Sequence, residues 1–231
     1  MNFSSRTYDK ELLDGDNIPF PAIAQNMKEL NTINTYLGGH AITIKGFKQL
    51  LRDKKSIEVC EIGCGGGDNL VAIAVWCKKH KVAVQITGVD WNADCIEVAE
   101  NTLKAFNPRL IVADYKTVQF EIGKPDIIFS SLFCHHFGEE ELVYMLRWMK
   151  KYSNDGFFIN DLHRHRLAYY SIKYLTAAFS KSNLVKNDAP LSVRRGFIFR
   201  EWKDLFQRAG IDSYSLQWKW AFRWLICSIN R

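Results

Sequence analysis

The stretch Glu61-Ile62-Gly63-Cys64-Gly65-Gly66-Gly67-Asp68 indicates the fold class of this chain. It ends a short apolar run at residues 57–62 and precedes a segment with helical spacing at residues 69–79. Glycines in a strand-to-helix turn permit positive φ angles and let a ligand approach the backbone closely. The stretch therefore predicts a ligand-binding turn after the first strand of an α/β sheet.

The spacing of these glycines argues against two classes of phosphate site. Counted from Gly63 and Gly65, a dinucleotide fingerprint requires a third glycine at position 68, where the chain has Asp68. An acid at this position would repel a pyrophosphate, and no Gly-Lys-Ser/Thr follows to make a P-loop. The turn suits a ligand that approaches the backbone closely and brings no phosphate.

Strand-like and helix-like segments alternate along most of the chain. Near-continuous apolar strands separated by helices indicate a parallel sheet covered on both faces. After residue 212, an alternating pattern and a second strand-like run around Cys227 are joined by too short a link for a parallel crossover. We therefore predict a Rossmann-like, doubly wound α/β fold whose mostly parallel seven-stranded sheet ends in an antiparallel C-terminal hairpin.

The first strand begins late in the chain. Residues 1–55 are predicted to form an N-terminal helical extension, a lid or packing brace in which Gly38-Gly39 ends a helix. Residues 56–231 are predicted to form one domain, with a substrate-side insertion at residues 162–200. Residues 181–196 have little periodicity and are expected to be a long surface connection.

Composition excludes several classes of protein. Hydrophobic residues make up 47% and charged residues 24% of the 231 positions, which is typical of a globular chain. No run approaches the ~18 apolar residues of a membrane span, and the first residues do not predict a secretory signal. The six cysteines are scattered without a Cys-x-x-Cys pair, so we expect reduced thiols in a cytoplasmic protein.

The net charge of +6 is unevenly distributed. Residues 161–231 carry 13 Lys and Arg against five Asp and Glu, whereas residues 1–160 carry 18 against 20. A basic C-terminal third can steer an acidic substrate, an acidic carrier protein or nucleic acid. A solvated basic face is the simpler interpretation of the same pattern.

Two acids follow the next two predicted strands. Asp90 ends the second strand and Asp114 ends the third, so both reach the crevice of the glycine turn. A carboxylate after the second strand can accept both hydroxyls of a ribose, and one after the third can accept from the amine of an adenine ring. In combination with the turn, these acids predict a nucleoside site.

These features resemble those of class I S-adenosylmethionine-dependent methyltransferases. The resemblance covers about residues 57–161 and implies S-adenosyl-L-methionine as the cofactor and S-adenosyl-L-homocysteine as the product. By this resemblance Glu61 and Gly63 lie beside the methionine part, Asp90 holds the ribose, and Asp114 faces the adenine amine. The implied cofactor-binding residues are Glu61, Gly63, Gly65, Gly67, Asp90, Trp91, Asp114, Tyr115 and Ser130.

Segments outside this core are similar to bacterial small-molecule methyltransferases of a quinone-pathway-like group. They are residues 160–165 (Asn-Asp-Leu-His-Arg-His), residues 191–197 (Leu-Ser-Val-Arg-Arg-Gly-Phe) and, less specifically, residues 11–14 (Glu-Leu-Leu-Asp). The similarity implies O-methylation of a phenolic, quinonoid or polyketide-like acceptor, which can be acidic or carrier-bound. No nucleic-acid partner is expected, and the oligomeric state is left open.

Methyl transfer to oxygen requires a base, and four of the six histidines follow the fourth and fifth predicted strands. His136 and His163 are the leading candidates for the catalytic base, with His135 as a third, while His165 is expected to begin the next helix. A His135/His136/His163 metal cluster lacks the helical His-x-x-x-His spacing, and only part of a carboxylate triad is present, so no metal is predicted.

Three charged residues are candidates for substrate contacts. Arg194 and Arg195 can pair with a carboxylate or phosphate, or else be a solvated pair, and Asp161 follows the fifth strand. Two other functions stay open at this point. The basic third suggests an RNA or protein methyltransferase, although no appended nucleic-acid module is recognised. A non-catalytic S-adenosylmethionine-binding protein would have the same glycine turn.

Overall fold

The computed structural model describes residues 3–15, 17–120 and 123–230. Its seven strands within these ranges are β1 (Ser56–Ile62), β2 (Ala83–Asp90), β3 (Arg109–Val112), β4 (Ile127–Ser131), β5 (Gly156–Leu162), β6 (Tyr214–Lys219) and β7 (Arg223–Ile229). They form one sheet in the order β3-β2-β1-β4-β5-β7-β6, in which only β7 runs against its neighbours. The predicted fold class is confirmed, with the point where the strand order reverses between β1 and β4, where open α/β sheets bind ligands.

Eight α-helices of the described residues surround the sheet. They are α1 (Phe20–Tyr36), α2 (Gly39–Leu51), α3 (Asp68–His80), α4 (Ala93–Leu103), α5 (Glu139–Tyr152), α6 (Arg166–Phe179), α7 (Asn183–Arg195) and α8 (Phe199–Ala209). Phe157 and Phe158 of β5 lie in separate hydrophobic cores, because successive side chains of a strand point to opposite faces. One core includes Trp202 of α8 and the other includes Phe47 of α2, so both faces of the sheet are covered.

One helix lies where the sequence predicted none. Gly38, at φ 77°, separates α1 from α2 within the predicted helical extension. The predicted connection at residues 181–196 is largely α7, whose first turn is capped by Ser182 Oγ accepting from Val185 N. Pro190 inside α7 removes one helix hydrogen bond. Because proline is rare inside helices, the sequence predicted a connection here instead of a helix.

From the sequence, Trp218, Trp220 and Trp224 are expected to pack in the core of the terminal hairpin. Trp224 of β7 is buried, but Trp218 and Trp220 are 46% and 69% exposed. They stand near the turn between β6 and β7 rather than in the core. No helix in the described part of the chain is both long and apolar enough to cross a membrane.

Candidate active site

A cavity of about 1100 Å³ opens where the glycine turn and the neighbouring strand ends meet the N-terminal extension. Its remaining walls come from α6, α7 and the turn between β6 and β7. Sites for one small molecule usually measure about 300–1,000 Å³. The cavity is therefore slightly larger than the usual site for one small molecule.

The glycine turn requires its glycines for steric reasons. Gly63 has a φ of 66°, and a Cβ there would lie 2.1 Å from Cδ2 of Phe133. Gly67, at φ 78°, precedes α3, and a Cβ would meet the side chain of Leu103 at 2.7 Å. Gly65, at φ 50°, faces α1, where a Cβ would lie 3.3 Å from Sδ of Met27. The turn thus runs close to its neighbours and is covered by α1.

Glu61, near the end of β1 and just before this turn, has a buried carboxyl group. It is 1% exposed, and its Oε2 has no hydrogen-bond partner among the described residues. Burial, together with the carboxylates of Asp68 and Asp90, raises the pKa of Glu61 well above its usual range. A cationic ligand group beside Glu61 would stabilise its charged form.

Asp90 lies across the turn at the end of β2. Its Oδ2 accepts from Gly65 N at 2.9 Å and its Oδ1 accepts from Asn92 N at 3.0 Å. Burial raises the pKa of Asp90, against the hydrogen bonds that lower it. The carboxylate is thus fixed between the glycine turn and the start of α4, on the cavity wall.

The other expected cofactor contacts line the same end of the cavity. Trp91 is 59% exposed at the rim, and Asp114 is exposed, with its Oδ1 accepting from Lys116 N at 3.0 Å. Tyr115 is buried, and its hydroxyl has no partner in the described structure. Asp114 and Tyr115 both follow β3, as the sequence indicated.

Ser130 is placed differently from the expectation. It is fully buried, and its Oγ lies 3.4 Å from Sγ of Cys134 rather than on the cavity wall. The next residue, Ser131, lines the cavity, and its Oγ has no hydrogen-bond partner among the residues described. Because side chains alternate along a strand, one position decides which serine faces the ligand.

Histidines and carboxylates meet at the other end of the cavity. We call Glu11, Asp14, His135, His136 and Asp161 the His–carboxylate cluster. His135 is 2% exposed, with its Nδ1 2.8 Å from Oδ1 of Asp161 and its Nε2 3.5 Å from Oε1 of Glu11. Burial would lower the pKa of His135, but Asp161 and Glu11 outweigh it and raise the pKa to about 9. His135 is therefore protonated at neutral pH.

His136 is the more open member of the cluster, with a side chain that is 21% exposed and lines the cavity. Its Nδ1 lies 3.2 Å from Oδ1 of Asp14, and its Nε2 lies 3.8 Å from Oε2 of Glu11. Although burial would raise the pKa of Asp14, His136 and Arg195 lower it to about 2. Asp14 is thus a stable acceptor for a proton on the Nδ1 of His136.

Glu11 precedes and Asp14 ends a short 3-10 turn in the N-terminal segment. Sequence reasoning noted residues 11–14 as part of a resemblance but assigned them no site role. They reach the histidines from more than a hundred residues away, because Arg195 at the end of α7 donates to the backbone oxygens of His135 and Asp9, at 3.1 and 3.0 Å. The order of motifs along the sequence does not predict a contact between the N-terminal segment and the histidines.

The remaining candidates are engaged elsewhere. His163 is not among the described residues that line the cavity, and its Nδ1 accepts from Nε1 of Trp218 at 3.1 Å. Burial, with His165 and Arg164 nearby, lowers the pKa of His163 to about 4. We therefore no longer retain His163 as a candidate base. As expected, His165 begins the next helix, where it caps α6.

The three substrate candidates make internal contacts. Asp161 is fully buried and accepts from the backbone nitrogen of Cys134 at 2.8 Å in addition to contacting His135. Arg195 is buried and donates to backbone oxygens and to Asp14. Arg194 lies 3.6 Å from a carboxylate oxygen of Asp9. Neither arginine belongs to a long connection, since both end α7.

The same cluster is the place where a metal could bind. Ligand atoms of Glu11, His135 and His136 all lie within 4.8 Å of one another. Both Nδ1 atoms already face carboxylates, those of Asp161 and Asp14. The arrangement can therefore hold protons on the two rings without an ion.

Several cavity-lining polar atoms lack partners in the described part of the chain. They are Glu61 Oε2, Tyr115 hydroxyl, Ser131 Oγ and Arg223 Nη1. Buried polar groups are rarely left unpaired, and unpaired ones in a cavity mark ligand contacts. An acidic, glycine-lined end with unpaired acceptors fits a ligand that carries an ammonium, a sulfonium and a nucleoside.

One family model matches the central part of the chain. Residues 59–156 match the model of a family described as methyltransferase domain. A search of curated proteins gives no match.

Solved structures share the fold. The plantazolicin methyltransferase BpumL in complex with SAH is 17% identical, with 92% of this chain and 95% of that chain covered at a TM-score of 0.65. Magnesium protoporphyrin IX methyltransferase from Synechocystis PCC 6803 with bound SAM is 12% identical, with 95% and 88% covered at a TM-score of 0.55. A provisionally assigned O-methyltransferase from Nostoc punctiforme PCC 73102 is 17% identical at a TM-score of 0.62, and this chain, 91% covered, spans 61% of it.

The matched segment contains the glycine turn, Asp90 and Asp114, and it lies in a sheet in which only β7 is antiparallel to its neighbours. Glu61 and Asp90 place two carboxyl groups on the wall of the cavity. Residues 59–156 are a methyltransferase domain, and the acidic, glycine-lined end of the cavity fits S-adenosylmethionine as its cofactor.

Proposed function

We propose that this enzyme methylates an oxygen atom of a small phenolic, quinonoid or polyketide-like molecule. The observation that carries the proposal is the single cavity that joins the glycine turn to the His–carboxylate cluster. When bound, S-adenosylmethionine supplies an electrophilic methyl group on sulfur. The chain's own residues must then align the two ligands and remove one proton from the acceptor.

Alignment is the larger part of this task. Holding two reactants in attack geometry can contribute ~7–11 kcal/mol of the barrier. At the cofactor end, Glu61 is suited to the methionine ammonium, Asp90 to the ribose hydroxyls, and Asp114 with Tyr115 and Trp91 to the adenine. We assign Ser131 to this end in place of Ser130, because the side chain of Ser131 lines the cavity.

The acceptor end is mostly apolar apart from the cluster. Its walls carry aliphatic and aromatic side chains from β5, α6, α7 and the hairpin turn, namely Leu162, Ala168, Ile172, Leu175, Val185, Val193 and Phe222. Such walls favour a molecule with an apolar body. A weakly acidic hydroxyl of that molecule would lie against the cluster.

Within the cluster, we assign proton removal to His136. His135 is protonated at neutral pH, since its pKa is about 9, and so cannot accept a second proton. The Nε2 of His136 is the ring nitrogen not held by Asp14. Asp14 keeps the other proton on Nδ1, so Nε2, which lies 3.8 Å from Oε2 of Glu11, is the nitrogen assigned to accept the acceptor's proton. His135, as a cation, would stabilise the developing oxyanion.

A related structure supports the presence of an acceptor beside the cofactor. The plantazolicin methyltransferase BpumL has been solved with a monoazolic desmethylPZN analog and SAH, with 91% of this chain and 90% of that chain covered at 18% identity and a TM-score of 0.65. That ligand belongs to BpumL, and for the present enzyme it supports only a fold that can hold an acceptor together with the product.

The test is a methyl-transfer screen. Purified protein is incubated with methyl-labelled S-adenosylmethionine and a panel of phenols, hydroquinones and polyketide-like resorcinols, and products are located by mass spectrometry. We expect a methyl ether whose formation requires His136. Tight binding of S-adenosylhomocysteine without any labelled product would instead indicate a non-catalytic binder, and label on carbon or nitrogen would refute the choice of oxygen.

A further inference from the structure

Arg223 is a buried cation with a free donor. It is 3% exposed on the cavity wall, and its Nη2 donates to Oδ1 of Asn34 at 2.8 Å. Its Nη1 has no hydrogen-bond partner in the described residues. No carboxylate within the described ranges forms an ion pair with it, although burying an unpaired charge is costly.

The surroundings keep this guanidinium in place and unpaired. Arg223 begins β7, where its backbone pairs with Leu162 on one side and Lys219 on the other. Asn34 also donates to Oδ2 of Asp68 at 2.8 Å, so it stands between Arg223 and that carboxylate. Burial lowers the pKa of Arg223 to about 10, which keeps the group charged at neutral pH.

The contrast with Arg195 is informative. Both arginines line the cavity, but Arg195 donates through Nε and both Nη atoms to backbone oxygens and to Asp14. Sequence reasoning selected Arg194 and Arg195 as the pair for a substrate anion. Of these two cavity-lining guanidinium groups, only that of Arg223 has a donor without a partner among the described residues.

We propose that Arg223 binds a carboxylate in the cavity, and that the acceptor supplies it. A guanidinium pairs with a carboxylate through parallel hydrogen bonds, and Nη1 offers the missing donor. The inference rests on the proposed function for placing an acceptor beside the cofactor. It narrows the acceptor class to molecules that carry a carboxylate as well as a methylatable hydroxyl.

The position of Arg223 in the sheet favours the acceptor over the cofactor as the source. Glu61, assigned to the methionine ammonium, ends β1, and β4 and β5 separate β1 from β7. Three strand spacings put these backbones roughly 14 Å apart. The ammonium and carboxylate of methionine share one carbon atom, whereas Arg223 adjoins the apolar walls formed by Leu162 and Phe222.

Binding calorimetry without turnover tests the carboxylate. Protein saturated with S-adenosylhomocysteine is titrated with 4-hydroxybenzoate and with 4-hydroxybenzamide, which differ only in the charged group. We expect the wild type to bind the carboxylate at least about tenfold more tightly, which corresponds to ~1.4 kcal/mol. Arg223→Gln should abolish this preference, and Arg223→Lys should keep part of it. Arg200→Gln, which removes an exposed charge on α8, is the control.

A second titration identifies the source. S-adenosylhomocysteine is compared with 5′-deoxy-5′-methylthioadenosine, which lacks the amino-acid part. If Arg223→Gln weakens only S-adenosylhomocysteine, the carboxylate site holds the cofactor and the acceptor assignment is overturned. If Arg223→Gln leaves both comparisons unchanged, no carboxylate binds there.

The wild-type titrations keep the test decisive if Arg223→Gln does not fold. In that case, two comparisons are made with the wild type: 4-hydroxybenzoate against 4-hydroxybenzamide, and S-adenosylhomocysteine against its carboxamide. If the carboxylate binds no more tightly than the amide in either comparison, the carboxylate site is refuted. Wild-type protein that fails to bind S-adenosylhomocysteine at all contradicts the proposed function instead, so the two failures are distinct.

Discussion

The two ends of the cavity are built in different ways. The cofactor end consists of consecutive residues at the tips of adjacent strands, joined by short backbone contacts such as Gly63 N to Val89 O at 2.8 Å. The acceptor end is assembled from distant segments, where Asp14 meets His136 and Arg195 through side chains. One end is fixed by the sheet, and the other depends on docking of the N-terminal segment. The ends should therefore respond separately to mutation.

The largest expected effect comes from His136→Ala at the acceptor end. We expect kcat to fall ~10²–10⁴-fold, because the variant lacks the group that takes the acceptor's proton. Affinity for S-adenosylhomocysteine, measured by calorimetry, should stay close to that of the wild type. His163→Ala, which changes a histidine away from the cavity, is the matched control and should retain turnover. Equal losses in both variants would contradict the choice of base.

At the cofactor end, Asp90→Ala should have a smaller effect, and it should change cofactor affinity rather than kcat. We expect S-adenosylhomocysteine to bind ~1–3 kcal/mol more weakly, because the ribose loses its hydrogen-bond acceptor. Glu100→Ala, which removes an exposed acid from α4, controls for the change of charge. Unchanged affinity in the Asp90 variant would place the ribose elsewhere.

His163 links stability to pH rather than to catalysis. Its folded pKa of about 4 lies below the ordinary value of 6.5, so the unfolded chain binds more protons between these pH values. The contribution of His163 to the free energy of unfolding should therefore be fully present above pH 6.5. It should fall by up to about 2 kcal/mol as the pH drops towards 4. Urea unfolding of the wild type and His163→Gln measures this. The variant should show a flatter pH dependence, and identical profiles would count against a half-buried, neutral ring of His163.

The smallest effect is expected from metal removal. We propose that Glu11, His135 and His136 work without an ion, because carboxylates already hold both histidine rings. Dialysis against a chelator should leave methyl transfer unchanged. Activity that disappears and returns with a divalent cation would show instead that the acceptor end uses the ion-binding geometry of these three side chains.

The contrast between the ends also explains what could be read from the sequence. Gly63, Asp90 and Asp114 were recognisable because parallel strands bring consecutive motifs to one edge. Glu11 and Arg223 carry no local signal, since their meaning depends on contacts across the whole chain. The sequence suggested Arg195 as a substrate-binding residue, because it does not reveal that this side chain is buried and donates to backbone oxygens.

Smaller differences have equally local causes. Ser130 and Ser131 are adjacent on a buried strand, and a sequence of continuous apolar residues does not reveal which side faces the cavity. Residues 183–195 form a helix despite Pro190, because Val185 and Val193 on one face are buried. Packing of that face outweighs the weak local signal.

Met27 of α1 lies against Gly65, while Glu11, earlier in the same extension, contacts the histidines. Leu13 and Ile18 pack with Ile23 and Met27, so these two contacts belong to one hydrophobic unit. Lifting that unit to release spent nucleoside would also pull Glu11 out of the chamber where the methylated molecule sits. Departure of both products would then require movement of the same hydrophobic unit.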